Sequence, residues 1–152
     1  MICHFAFCIL IFEFYYMTSQ ALIFTLSAIG ISETVYLIKK RLLLQKPICP
    51  IGENCLVVLE SKYSKIFIIP NDVLGLIFYI VASVIAAFVV IGVEPLFLWD
   101  TVIKIMVILG SLISVFFTYL QWKVIKSWCF WCLMSACTIW LMAGIIITTK
   151  LY

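Results

Sequence analysis

Apolar residues do not alternate along this chain; they run in blocks. Residues 20–38, 72–91, about 98–120 and about 128–149 are nearly continuous stretches of Leu, Ile, Val, Phe and Ala. Each is close to the ~20 residues that cross a bilayer as a helix, and the period of two expected of a barrel strand is missing. Polar residues gather in the gaps. Lys39-Lys40-Arg41 stops the first block, Gly92-Val-Glu-Pro95 makes a short turn, and Gln121-Trp-Lys-Val-Ile-Lys126 makes a short link. The first gap, residues 42–71, is long. Within it, residues 55–63 predict a short helix lying on the membrane, with Leu56 and Leu59 toward lipid or protein and Lys62 toward water. Pro70-Asn71-Asp72 opens the next span, with Asn or Asp as its cap, and Gly75 would let a neighbouring helix approach. The expected fold is an all-α membrane protein: a four-transmembrane-helix bundle with a long first loop carrying a short helix.

Composition supports a bilayer as the solvent. Of 152 residues, 66% are hydrophobic and 11% charged, and the mean hydropathy is +1.27. A soluble domain of that size could not cover its surface with so few polar groups. The net charge of +3 carries no message about nucleic acid, because the basic residues lie in loops between spans. Residues 20–149 form the expected domain, after an N-terminal apolar extension, residues 1–19. Residues 1–17 are apolar except for His4 and Glu13; they extend the first helix, or Met17 is the true start. His4, Cys3 and Cys8 are most simply inert. Trp99, Trp122, Trp128 and Trp131 fall at span ends, as in an aromatic belt. Asp100 and Lys104, four apart, can pair. Glu33 lies near the end of the first span. A carboxyl there is a functional candidate, but the nearby Lys39 and Lys40 favour an interfacial carboxylate.

The candidate chemistry is in the cysteines. Of seven, four form two close pairs, Cys49/Cys55 in the long loop and Cys129/Cys132 where the last span begins. Residues three apart share a helix face, so the sulfurs of Cys129 and Cys132 point the same way and can close into a disulfide. Cys129 would sit at a helix N-terminus, where the partial positive charge favours the attacking thiolate. Four spans put the first and third loops on one side of the membrane, so both pairs share a face. A loop pair can trade disulfides with a soluble partner. A pair beside the bilayer can pass two electrons to a lipid-soluble acceptor, most naturally a quinone, and two pairs in series make a relay. Trp128, Phe130 and Trp131 offer flat apolar surface suited to a quinone ring. Two readings of another class compete. Four cysteines on one face could bind a metal such as zinc, though the first spacing is loose for it. They could also be plain structural disulfides.

The residues also resemble a known family. Cys49-x5-Cys55, Ser61 six residues after the second cysteine, Asn71-x3-Gly75 opening the second span, and Cys129-x-x-Cys132 opening the last resemble the vitamin K epoxide reductase family over about residues 20–149. The resemblance implies a short helix capping a quinone pocket, and it implies roles. Cys132 would reduce the quinone (ubiquinone, menaquinone or similar). Cys129 would pair with Cys132, or with Cys55 during relay. Cys49 would be attacked by a separate thioredoxin-like protein, Ser61 would hold the loop, and Asn71 would donate a hydrogen bond to a quinone carbonyl. Phe130 and Trp131 would line the pocket. The tyrosine of animal members, one turn after the second cysteine, is Ala136 here. That favours quinone-dependent oxidation of protein thiols over vitamin K quinone or epoxide reduction. The quinone-linked bacterial disulfide oxidase also has four helices and two cysteine pairs, but its spacings fit less well.

Charge bears on orientation. Lys39, Lys40, Arg41, Lys46, Lys62, Lys65, Lys123 and Lys126 lie on the cysteine face, against Lys150 and a snorkelling Lys104 on the other. In a prokaryotic cell membrane the positive-inside rule turns the cysteines toward the cytoplasm, with the extracytoplasmic side as the alternative. Disulfide-rich cytosols, as in hyperthermophiles, would accommodate such an enzyme.

Overall fold

A computed structural model describes the backbone of residues 2–49, 55–66 and 68–150; side chains are described for these except 2–17, 56, 66 and 150. Among the described residues five α-helices follow in order: α1 (Ile2–Leu42), α2 (Cys55–Leu59), α3 (Asn71–Ile91), α4 (Leu96–Tyr119) and α5 (Phe130–Lys150). A wider π turn, Leu120–Ile125, continues α4. Among the described residues four stretches are long and apolar enough to cross a membrane: Thr18–Leu42, Asn71–Ile91, Leu96–Ile125 and Phe130–Thr149. They match the four hydrophobic blocks. The backbone of α1 continues the first block toward the N-terminus, while His4, Glu13, Cys3 and Cys8 lie outside the described side chains.

The long helices pack in a ring. α1 lies against α3 and α5, and α4 completes the circle against the same two. Ile23, Tyr79, Ala82, Ile103, Val107 and Met142 lie in its core. Lipid gives no hydrophobic drive for helices to associate, so close approach and polar contacts decide the packing. Gly30 supplies the closest approach: a Cβ there would stand 2.5 Å from the Tyr79 ring. Gly75 works more gently, its absent Cβ falling 3.2 Å from a Thr34 methyl. Gly92 ends α3 in the left-handed conformation, φ +81°, and its N–H returns to the Phe88 carbonyl. That geometry is nearly free of cost only for glycine.

The long loop differs in detail from its expectation. The helix after Cys55 stops at Leu59, followed by a 3-10 turn over Lys62–Ser64. Strand β1 (Lys65–Ile66) pairs antiparallel with β2 (Ile69–Pro70) and returns the chain to α3. Lys62 is exposed as expected and Leu59 packs toward the cysteines; the Leu56 side chain, Gly52 and Asn54 lie outside the described residues. Neither Asn71 nor Asp72 caps α3. Pro70 holds that position, Asn71 is the first helical residue, and Asp72 turns to Arg41 of α1 at 2.5 Å. The expected pair of Asp100 and Lys104 is present at 2.6 Å.

Candidate functional site

The site forms where the long loop folds back onto the start of α5. Cys49 and Cys55 are joined in a disulfide, with their Cα atoms 6.4 Å apart. Cys55 and Cys129 are both buried, in one cluster with Val58, and Cys49, Leu59, Phe130, Trp131 and Cys132 pack around them. Sulfur atoms from positions 49 to 132 thus gather in one patch. The disulfide also bears on metal binding, since two of the four sulfurs are tied to each other rather than held as thiolates.

Cys129 and Cys132 are free thiols. Cys129 immediately precedes α5, and its carbonyl accepts the Leu133 N–H at 3.0 Å. Its sulfur accepts the Cys132 N–H at 3.4 Å, so the thiol itself caps the helix. The Cys132 thiol donates to the same sulfur, as do the backbone N–H groups of Cys132 and Trp131. Together they hold the Cys129 thiol below its ordinary range, against burial, which pushes it up. This is the electrostatic setting of an attacking thiolate, and it follows from placing C-x-x-C at a helix start.

Two anchors fix the approach of the loop. The Trp131 indole N–H donates to the Ile48 carbonyl at 2.8 Å, and the Ile48 N–H donates to the Tyr36 hydroxyl at 3.2 Å. The rings of Tyr36 and Trp131 lie 4.4 Å apart. The residue before Cys49 is therefore gripped by α1 and α5 at once. A third anchor is Gln121, buried at the end of α4, whose side-chain oxygen accepts the Cys129 N–H at 3.0 Å. In the sequence Gln121 is only part of a polar link, and nothing there signals this bond.

Below the cysteines lies a cavity of about 980 Å³, with walls from α1, α3, α4, α5 and the loop. That is at the upper end of volumes that enclose a drug-sized molecule. Cys132, Trp131, Asn71 and Ser61 line it. Phe130 is set differently: it packs with the cysteine cluster, edge-on to Trp131 at 5.5 Å, rather than along the cavity wall. The Ser61 hydroxyl donates to the Val58 carbonyl at 2.7 Å and closes the end of α2. Asn71 donates an amide hydrogen to the Tyr63 carbonyl at 2.8 Å, and its oxygen is buried without a partner among the described residues. The second amide hydrogen remains for another acceptor. Ala136 lines the cavity on α5. The tyrosine at that level comes from α3: the Tyr79 hydroxyl lies 2.9 Å from both the carbonyl and the hydroxyl of Ser135. Glu33 corrects its favoured reading. It is buried on the cavity wall and makes no ion pair with Lys39 or Lys40 among the described residues.

Residues 21–147 match the sequence profile of the Vitamin K epoxide reductase family, most of the 152-residue chain. The chain belongs to that family. Membership implies a membrane thiol-disulfide oxidoreductase, and the chain holds a disulfide and a thiol pair packed in one cluster. Proteins of the vitamin K epoxide reductase family generally act with quinones. A comparison with curated proteins gives no match.

Proposed function

We propose that this protein oxidises a reduced thioredoxin-like protein and passes the two electrons to a quinone. The observation that carries the reading is the burial of Cys55 and Cys129 in one cluster while Cys132 faces the cavity. The partner's thiolate attacks Cys49, which is the more accessible sulfur of its disulfide. Resolution of the mixed disulfide oxidises the partner and leaves Cys49 and Cys55 as thiols. Exchange through Cys55 and Cys129 moves the disulfide outward again and leaves Cys129 and Cys132 reduced. Closing Cys129–Cys132 then releases two electrons and two protons, which convert a quinone to a hydroquinone. With the loop pair oxidised and the second pair reduced, the relay is poised for that last step.

The chain's residues suit such an acceptor. Trp131 offers an aromatic face on the wall, Asn71 an amide hydrogen, and the rest of the lining is mainly apolar. Ser61 shapes the wall by closing α2, and Phe130 supports Trp131 from behind. Reduction of a vitamin K-type quinone or epoxide as the main product is the weaker alternative, with Ala136 where animal members carry tyrosine.

Purified protein in lipid nanodiscs, given a reduced thioredoxin-like donor and a short-chain ubiquinone, tests the relay by the absorbance of the quinone. Wild type should turn over, and Cys132→Ala and Cys49→Ala should each lose turnover. Full activity in both variants would refute the relay. Membrane orientation is proposed from charge: eight basic residues lie at the cysteine end, which turns that end to the cytoplasm. α5 runs from the cysteine end to the opposite face, so alkaline phosphatase fused after it should be active. A fluorescent fusion that matures there instead would reverse the orientation.

A further inference from the structure

The cavity has a polar wall that the thiol relay leaves unused. Glu33 sits on α1 inside the span Thr18–Leu42, only 6% exposed. Its side chain lines the same cavity that Cys132 lines from α5. One carboxyl oxygen, Oε2, is buried without a hydrogen-bond partner among the described residues. The carboxyl also hydrogen-bonds the side chain of Thr138. The Thr138 hydroxyl also lies 3.0 Å from the Met134 carbonyl. The ion pairs among the described residues, Arg41–Asp72 and Lys104–Asp100, do not include Glu33. A carboxyl inside a bilayer is expensive, and among the described residues no ion pair offsets it.

Two hydroxyls share the cavity wall with it and with Cys132. The Tyr79 ring rests against Gly30, one turn of α1 before Glu33. The Tyr79 hydroxyl lies 2.9 Å from the Ser135 hydroxyl, and Ser135 is one turn of α5 beyond Cys132. All of these groups except Gly30 and Thr138 line the cavity.

Resting on the reading of the cavity as a quinone site, we propose that Glu33 is the proton carrier of the quinone-reducing step. Closing Cys129–Cys132 forms one S–S bond and frees two electrons and two protons. Both electrons and both protons end on the quinone, which leaves as hydroquinone. One proton reaches the quinone oxygen nearest the thiols directly. The other oxygen takes its proton from the α1 wall. Glu33 gives its proton there and regains one released at sulfur through Ser135 and Tyr79. It ends the cycle unchanged.

Glu33→Gln removes the dissociable proton and keeps the shape. In nanodiscs the two half-reactions are followed separately: oxidation of a reduced thioredoxin-like donor without quinone, and loss of the Cys129 and Cys132 thiols on mixing with short-chain ubiquinone. The second is run in H2O and in D2O. E33Q should leave the donor half-reaction at the wild-type rate. It should slow the quinone half-reaction by about 100-fold, the lower end of what a positioned acid or base supplies. Glu33→Asp should recover part of that rate together with a solvent isotope effect. Should E33Q fail the donor half-reaction through misfolding, E33D and wild type decide, and an isotope effect of one in both overturns the proposal. So does E33Q reducing quinone at the wild-type rate, and that result leaves the quinone reading standing. A wild-type protein that accepts electrons from the donor but is inert toward quinones overturns the cavity reading, and this proposal with it.

Discussion

Gln121→Leu is the sharpest test of how the second cysteine pair is held. Gln121 is 4% exposed and Cys129 fully buried, so the bond from the Cys129 N–H to the Gln121 oxygen at 3.0 Å has no water to replace it. Leucine fills a similar volume but accepts nothing, and the buried N–H is left without a partner. Such a loss costs about 1–3 kcal/mol. At ~2–4 °C per kcal/mol for a chain of this length, the melting temperature should fall by about 2–12 °C. The cost falls on the residue that caps α5, so function should suffer as well. The Cys129–Cys132 disulfide should close more slowly under a mild oxidant, because the Cys129 backbone loses its tether to α4. Thermal unfolding of the fully reduced protein in detergent, paired with closure rates by mass spectrometry, measures both. A melting temperature within about 1 °C of wild type, with unchanged closure, would refute the reasoning, since buried amides pay about 1 kcal/mol or more when unpaired.

Two further predictions concern the loop and the thiol. Trp131→Phe removes the hydrogen bond to the Ile48 carbonyl, worth about 0.5–1.5 kcal/mol, so amide exchange at Ile48 should quicken about 2–13-fold; unchanged protection would show that the indole does not hold the loop. The Cys129 thiol is held low chiefly by the Cys132 thiol, so alkylation of Cys129 should titrate at lower pH in the folded protein than in the unfolded chain. A depressed folded-state value stabilises the reduced fold above the unfolded thiol's range, and this gain is lost as pH falls through the folded-state value. Cys132→Ala should move the titration upward, and an unmoved midpoint would contradict the assignment.

Several parts of this protein are legible in the sequence because they depend on short-range rules. Helix length is set by bilayer thickness, so four apolar blocks give four spans. Parity then puts the two cysteine pairs at one end of the bundle, and C-x-x-C at a helix start puts one sulfur at the cap. What the sequence does not show is how each helix is turned about its axis. In a soluble bundle the apolar stripe reveals the inward face, but lipid is as apolar as leucine and the stripe largely disappears. The tertiary structure therefore decided that Glu33 faces a cavity rather than Lys39 and Lys40, and that the tyrosine beside Ser135 comes from α3. It also decided that Gln121 reaches across a loop to Cys129, and that Tyr36 and Trp131 close on Ile48 from two helices. Each of these is a contact between distant parts of the chain, set by packing that no local pattern records.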